Sequence, residues 1–262
     1  MGSISGGTQR LCAWTGPVFM VVFFIGWVPL AGWLPPPSPA MSAEQVVAMY
    51  RDNLLGIRLG MVVVALASAL LLTFFAAVSV QVKRMEGGGS VLAYAQLAAG
   101  IMAVVEFMIP AAIWEAASYR LDRSPEDTQL LHDLGWFPFF ALAATAILQG
   151  VVIGVAVLRD RRPEPVFPRW AGYFNIWAVM LLFFGTFIVL VKDGPIAWNG
   201  LLTWWMELVS YFLWITVNTV LVLRAVAAER ARPDPVTDVG ALAEEVGRLR
   251  EEVDRLREGA RT

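Results

Sequence analysis

The sequence has only one cysteine, Cys12, and only one histidine, His132. One cysteine excludes an intrachain disulfide and a thiolate cage for zinc or an iron–sulfur cluster. One histidine excludes bis-histidine haem ligation, the HExxH zinc site and a copper site built from several imidazoles. The GxSxG, P-loop and CxxC motifs are missing as well. We therefore expect a protein that is not an enzyme and that has no catalytic residue, no metal and no cofactor.

Charge is also scarce. Only 16% of the residues are charged, whereas 58% are hydrophobic and the mean hydropathy is +0.62. The charges lie in short connecting segments and in the tail after Arg224, and the net charge of −2 gives no sign of a nucleic-acid partner. Lys83 and Lys192 are the only lysines, an arginine bias that indicates a GC-rich bacterial genome. This composition predicts an integral membrane protein in contact with the lipid bilayer.

Six apolar runs are each long enough to cross a hydrocarbon core of about 30 Å. We predict spans at about 12–33, 59–82, 91–117, 136–158, 170–191 and 198–224. Residues 1–11 are polar and rich in Gly and Ser, and we expect them to be disordered. The first run has an alternative interpretation as a signal peptide cleaved after Ala40. It is longer than the usual apolar core of about 7–15 residues, which favours a retained span.

Two short helices are predicted outside the spans. Ser42 and Gln45 form a capping box, which indicates a surface helix that begins at Ala43. Ser124 and Pro125 predict a second surface helix that ends at about Leu134, and this placement makes His132 a solvated side chain. Seven tryptophans lie near predicted span ends, as an aromatic belt at the membrane surface requires: Trp33, Trp114, Trp136, Trp170, Trp198, Trp204 and Trp205.

The orientation follows from the basic residues in the connecting segments. Ten Lys and Arg residues fall on one side of the predicted membrane and five on the other. The more basic side of a membrane protein faces the cytoplasm. We therefore predict a multi-pass protein of the inner (plasma) membrane with both termini in the cytoplasm.

The tail at 236–262 has a heptad pattern. Valine and leucine alternate at spacings of three and four residues, with Val at each a position and Leu at each d position: Val239, Leu242, Val246, Leu249, Val253 and Leu256. Glu245 and Glu252 fall at g, and Arg250 and Arg257 fall at the following e positions, which favours a parallel two-stranded coiled coil. The fold class is therefore all-α, a six-helix transmembrane bundle over 12–232 with this coiled coil. Self-association and pairing with a cytoplasmic coiled-coil partner both remain open, as does a solvated helix without a partner.

Two acidic residues lie inside predicted spans. Counting about 1.5 Å per residue, Glu106 and Glu207 fall at similar depth in the membrane. Acidic residues at that depth mark proton or cation pathways, although a hydrogen-bonded Glu can also simply join two helices. Arg58 and Arg120 are the candidate counter-ions. Five further side chains are candidates for a polar lining, and the four amides among them could instead bond in pairs between helices: Gln96, Gln149, Asn175, Tyr211 and Asn218.

Two functions fit these features. The first is a dimeric accessory or scaffold subunit, associated with transport of a lipid or another hydrophobic small molecule, whose tail organises a cytoplasmic partner. The second is a small proton- or cation-coupled carrier that uses Glu106 and Glu207. Under the first hypothesis, deletion of residues 236–262 should abolish function, whereas Glu106→Gln and Glu207→Gln should have mild effects. The second hypothesis predicts the reverse.

Overall fold

The computed structural model describes residues 6–120 and 122–231, and residues 240, 243–244, 246–250 and 253 of the tail. Regular structure in these residues is helical throughout. The helices are α1 (Gly6–Ile25, continued by a π-helical turn Gly26–Leu30), α2 (Ala43–Asp52), α3 (Leu54–Ser68), α4 (Leu70–Glu86), α5 (Val91–Tyr119), α6 (Pro125–Ala141), α7 (Ala143–Arg159), α8 (Arg169–Met180, continued by a 3-10 helix Leu181–Leu190) and α9 (Met206–Ala231, preceded by a π-helical turn Leu201–Trp205).

Within the described residues, six helical segments are long and apolar enough to cross a membrane: Gly6–Leu30, Leu54–Glu86, Val91–Tyr119, Pro125–Arg159, Arg169–Leu190 and Leu201–Ala231. Their outer faces carry large apolar side chains, and Val21, Leu66 and Val209 are 60%, 71% and 64% exposed. Soluble monomers rarely expose apolar surface on this scale. The chain is therefore a multi-pass helical membrane protein, and the predicted all-helical bundle with six spans is confirmed.

The first span begins earlier than predicted. Helix α1 starts at Gly6, so residues 6–11 are helical rather than disordered, and residues 1–5 lie outside the described residues. The physical reason is a buried amide pair, in which Gln81 Nε2 of α4 donates to Gln9 Oε1 at 2.7 Å. The polarity of Gln9 suggested that its segment is solvated, but Gln9 is hydrogen-bonded inside the bundle instead.

The capping box at Ser42 is confirmed, because the Ser42 backbone N–H donates to Gln45 Oε1 at 2.8 Å and the Gln45 N–H donates to Ser42 Oγ at 3.3 Å. Helix α2 is not simply a surface helix, since Val46, Val47 and Tyr50 are buried. It ends at Asn53, whose Nδ2 donates to the carbonyl oxygens of residues 30 and 31. The second span therefore begins at Leu54, five residues before the predicted start.

Helix α6 differs most from the prediction. The expected break after Leu134 is missing, and one helix runs from Pro125 to Ala141 before an interruption at Leu142. Gly135 does not end the helix, because it packs under the indole of Trp114, where an added Cβ would lie 2.3 Å from Trp114 Nε1. The predicted N-cap is confirmed, with Ser124 Oγ accepting from the Asp127 N–H at 3.1 Å.

Glycines bring two pairs of spans into backbone contact. A Cβ on Gly60 of α3 would lie 2.4 Å from the Gly26 carbonyl oxygen, and a Cβ on Gly154 of α7 would lie 2.9 Å from the Gly172 oxygen of α8. Small residues at such crossings let membrane helices pack through their backbones. These contacts hold the spans that carry the site described below.

The chain divides into two compact units, Met1–Ala225 and Val226–Thr262. In the second unit, the described tail residues are helical, and Val246, Leu249 and Val253 are 45%, 54% and 47% exposed. The other predicted coiled-coil core positions, Val239, Leu242 and Leu256, lie outside the described residues.

Candidate functional site

A cavity within the bundle is lined by both predicted acidic residues. It lies between α1, α5, α6, α7, α9 and the 3-10 helix that follows α8. Measured as the space open to a water molecule, its volume is about 60 Å³. One water needs about 10–15 Å³ on that measure, so the cavity has room for a few waters or a small ligand. The lining side chains are Phe23, Glu106, Phe107, Phe139, Phe140, Ala143, Ala146, Leu182, Trp204, Glu207, Leu208, Tyr211 and Phe212.

Glu106 is held on α5 against the start of α7 and is 8% exposed. Thr145 Oγ1 lies 2.7 Å from Glu106 Oε1 and 2.9 Å from the Leu142 carbonyl oxygen. A hydroxyl group has one proton to donate, so Thr145 can donate to only one of these oxygens. Both contacts are hydrogen bonds at the same time only when Thr145 donates to the Leu142 carbonyl and accepts a hydrogen bond from the protonated carboxyl group of Glu106. The geometry therefore accommodates a protonated carboxyl group at Glu106.

Glu207 lies in the first turn of α9 and is 7% exposed. Its Oε1 accepts a hydrogen bond from the backbone N–H of Gly185 at 2.5 Å. Gly185 lies in the 3-10 helix, and an added Cβ there would be 2.6 Å from Glu207 Oε1. Glycine at this position lets the carboxylate reach the backbone. This 3-10 helix has ten residues, which is unusually long for the 3-10 conformation and indicates a strained or functional position.

The two acids share the cavity without a basic partner among the described residues that line it. Glu106, Glu207 and Tyr211 line the same cavity. Two negative charges inside a bundle are costly, since no basic side chain of the lining offsets their burial. The site therefore favours a proton or a cation.

Two further polar atoms at the cavity have no partner in the described part of the chain. They are the hydroxyl of Tyr211, one turn along α9 from Glu207, and the indole Nε1 of Trp204. Both atoms are fully buried, and a buried polar group without a hydrogen bond costs about 1–3 kcal/mol. The cavity thus collects several polar groups whose bonding is incomplete, which is typical of a binding site.

Aromatic rings form most of the remaining wall. Phe107 is central, with its ring centroid 5.7 Å from that of Phe23, 5.6 Å from that of Phe139 and 5.9 Å from that of Tyr211. Phe23 also contacts Phe212 at 5.9 Å. The carboxyl groups therefore lie among ring faces and edges.

The predicted counter-ions lie elsewhere. An Nη of Arg58 donates to the carbonyl oxygens of Ser118 and Tyr119, at 2.5 and 3.1 Å. Those residues end α5, about 18 Å from Glu106 at 1.5 Å per residue. Arg120 follows the same helix end and lies over the Tyr119 ring at 5.9 Å. Arg58 thus pairs with free carbonyls at the helix end and Arg120 with an aromatic ring, so the predicted pairing with the acids is wrong.

Four of the five side chains predicted as a polar lining lie apart from the cavity, and Tyr211 alone among those five contributes to its wall. Asn175 Oδ1 accepts from Trp214 Nε1 at 2.8 Å and from Asn218 Nδ2 at 3.1 Å. The Oε1 of Gln96 accepts from the Ser79 hydroxyl. Gln149 is buried and has no hydrogen-bond partner in the described part of the chain. Most of these amides join helices, because a neighbouring amide or indole is the nearest partner inside a bundle.

The predicted aromatic belt is wrong for five of its seven tryptophans. Trp170 and Trp205 are exposed, but Trp33, Trp114, Trp136, Trp198 and Trp204 are buried. We use the name aromatic cluster for Trp27, Trp33, Tyr50, Trp114, His132 and Trp136, whose rings contact one another. These tryptophans pack against one another because α6 continues without a break and brings its aromatic residues against α5 and α1.

His132, expected to be solvated, is fully buried in the aromatic cluster. Trp136 Nε1 donates to His132 Nε2 at 3.2 Å, and an indole N–H can only donate. The ring proton is therefore on Nδ1, which donates to the Tyr50 hydroxyl at 3.1 Å. Burial, and secondarily the charge of Asp133, raise the pKa of Tyr50 well above its ordinary value. The cluster is thus held in one neutral arrangement.

Sequence reasoning missed Thr145, Gly185 and the cavity's phenylalanines. Thr145 is a polar residue within an apolar run, and Gly185 interrupts the run Phe183-Phe184-Gly185-Thr186-Phe187, so each left a weak signal.

Comparisons with protein-family models, with curated proteins and with solved structures gave no match. Fold and site together define a class: a multi-pass helical membrane protein with a buried carboxyl pair in an aromatic cavity.

Proposed function

We propose that the protein is a proton- or cation-coupled carrier, without enzymatic activity, whose coupling site is the cavity of Glu106 and Glu207. The observation that carries this proposal is that two buried carboxyl groups from different helices line one small cavity. A carrier needs a site that can be neutral or charged, depending on whether a proton or a cation is bound. Neither the volume nor the two acids favours a lipid as the cargo.

The elements around the site support a transition between two states. Glu207 is bonded to a 3-10 helix that follows α8. Glu106 is bonded to Thr145 of α7, whose hydroxyl also contacts the Leu142 carbonyl at the interruption between α6 and α7. Irregular backbone inside a membrane bundle is tolerated where it lines a cavity, and it is where transporters bind ions. A change in the charge of either carboxyl group would change the contacts that hold these segments.

The test is proton flux into liposomes that contain the purified protein and a pH-sensitive dye. We expect Glu106→Gln and Glu207→Gln to reduce flux driven by a pH gradient by at least tenfold. Glu115→Gln is the matched control, because Glu115 lies on α5 but does not line the cavity. Flux that is unchanged in both cavity variants, with protein that elutes as the native form, would refute the carrier.

We further propose that the tail pairs with a second copy of the chain or with a cytoplasmic coiled-coil partner, so that the protein also acts as an assembly subunit. The heptad supports this proposal, as do the exposed apolar side chains of Val246, Leu249 and Val253. Deletion of residues 236–262 should convert a dimer to a monomer in light scattering. An unchanged mass would exclude self-association, and retained flux would separate assembly from transport.

The proposed orientation is that both termini lie in the cytoplasm of a bacterial cell, because ten basic residues fall on that side and five on the other. A tag at Thr262 should be protected from protease in intact cells and digested after permeabilisation. Digestion in intact cells would reverse the orientation and remove the cytoplasmic partner.

A further inference from the structure

The wall of the cavity resembles a receptor for an organic cation more than a site for a metal ion. Seven of the thirteen lining side chains are aromatic: Phe23, Phe107, Phe139, Phe140, Trp204, Tyr211 and Phe212. Hard cations such as Ca²⁺ bind six to eight oxygens, and Mg²⁺ keeps much of its own water. Two carboxyl groups and one phenol among phenyl rings do not supply such a shell. Rings instead attract the diffuse charge of an ammonium group through their negative faces.

The carboxyl groups are arranged so that one oxygen of each remains for a ligand. Glu106 uses Oε1 for Thr145, and Glu207 uses Oε1 for the Gly185 N–H. In the described part of the chain, the Oε2 atoms have no hydrogen-bond partner, and both side chains line the cavity. A cation between them would meet a negative charge on two helices and ring faces around it. The titratable groups that line the cavity are Glu106, Glu207 and Tyr211.

We infer that the cavity binds a small, singly charged organic ammonium ion, which enters as a carboxyl proton leaves. Charge is balanced, since one positive charge replaces another at the same pair of acids. The rings select against inorganic cations, which lose hydration without gaining equivalent contacts, and the acids select against neutral molecules of the same shape. This inference rests on the proposed carrier function and names the substrate class of its site.

The test is equilibrium binding of radiolabelled tetramethylammonium to the full-length protein in lipid nanodiscs. We expect saturable binding that Na⁺ and tert-butanol compete for at least tenfold more weakly than unlabelled tetramethylammonium does. Na⁺ has the charge without the methyl groups, and tert-butanol has a similar shape without the charge. Glu106→Gln and Glu207→Gln should each weaken binding at least tenfold.

Phe107→Leu separates cation–π attraction from simple apolar contact, because it keeps a large apolar side chain and removes the ring. We expect about tenfold weaker tetramethylammonium binding. Phe183→Leu is the matched control, since Phe183 is 50% exposed and does not line the cavity. Size-exclusion elution at the native volume establishes that each variant is folded.

Three results would overturn the inference. They are equal competition by Na⁺, unchanged binding in Phe107→Leu, and no tetramethylammonium binding by protein that still exchanges protons. In each of these cases the carrier proposal survives, because flux that depends on Glu106 and Glu207 remains its own test. Loss of that dependence would refute the carrier instead, whatever the ammonium ion does.

Discussion

The aromatic cluster and the carboxyl cavity are adjacent, and both place polar side chains among buried rings. Trp27 of the cluster contacts Phe139 and Trp204, which line the cavity. In the cluster, both ring nitrogens of His132 are hydrogen-bonded, and its carbonyl oxygen accepts from Trp114 Nε1 at 3.0 Å. Among the described residues, Tyr211 and Trp204 at the cavity have buried polar atoms without partners, and each acid retains an oxygen without a hydrogen bond. The Trp33 Nε1 of the cluster also has no partner in the described part of the chain, so an unpaired atom alone does not distinguish the two regions. The difference is that His132 is bonded at both ring nitrogens, which indicates a structural role, whereas two carboxyl groups line a cavity, which indicates a site for a ligand.

The largest expected effect is on stability, from His132→Phe. Phenylalanine fills the ring volume but leaves the Tyr50 hydroxyl and the Trp136 N–H buried without their partner. We expect a loss of roughly 2–4 kcal/mol in the free energy of unfolding. Thermal unfolding in detergent measures it, with Glu207→Gln as the comparison at the cavity. Equal destabilisation by both variants would mean that the two regions do not differ in role.

Gly185→Ala should reduce flux through its effect on the cavity and should change stability little. The added Cβ would lie 2.6 Å from Glu207 Oε1, so the carboxyl group must move away from the backbone N–H. We expect about tenfold weaker proton-driven flux and a small change in melting temperature. Thr186→Ala is the control, because the Thr186 hydroxyl bonds only within its own helix segment, to the Phe183 carbonyl. A similar loss of flux in both variants would show that the segment, not the carboxyl contact, matters.

Asp160 lies outside the spans, and unlike the cavity acids it has hydrogen bonds to both of its carboxylate oxygens. Burial raises its pKa, but hydrogen bonds from Arg162 and from the Val166 and Arg162 N–H groups outweigh that effect and lower the pKa below its ordinary value of 3.8. A lowered folded-state pKa stabilises the fold above the ordinary value, and this stability is lost as pH falls through the folded-state pKa.

Asp160→Asn should therefore lower stability by about 1–3 kcal/mol at neutral pH. Its deficit relative to the native chain should shrink below about pH 4. Unfolding curves recorded from pH 3 to pH 7 give the comparison. A deficit that is independent of pH would show that packing, not charge, holds this loop.

Gln149→Leu should have the smallest effect on stability and flux. It tests whether unpaired polar atoms mark a functional site only where they lie at the cavity. Gln149 is buried with both amide atoms unpaired in the described part of the chain, yet it does not line the cavity. If incomplete bonding away from a cavity is only a cost, leucine should raise stability by about 1 kcal/mol and leave flux unchanged. Reduced flux in this variant would mean that the functional region extends beyond the cavity.

The two regions were not equally visible in the sequence. Glu106 and Glu207 stood out because acids are costly in apolar runs, and their equal depth followed from the rise of a helix. His132 was misplaced because a short surface helix was predicted to end at about Leu134. The helix instead continues to Ala141, and Gly135 makes room for Trp114, a contact between helices that no local pattern records. Arg58 and Arg120 were misassigned because free carbonyls at a helix end leave no mark in composition.

The sequence by itself determined which six segments are apolar enough to lie in lipid. Apolar length, caps at Ser42 and Ser124, and the position of acids along their spans follow from hydropathy and local bonding. Only the tertiary structure decided which faces meet. It brought Glu106 and Glu207 to one cavity, and it packed a neutral histidine into a cluster with five other aromatic rings. The reason is that a helix in lipid is apolar on its outer and its inner face, so periodicity does not distinguish them. Small residues, rings and single polar bonds select the contacts instead.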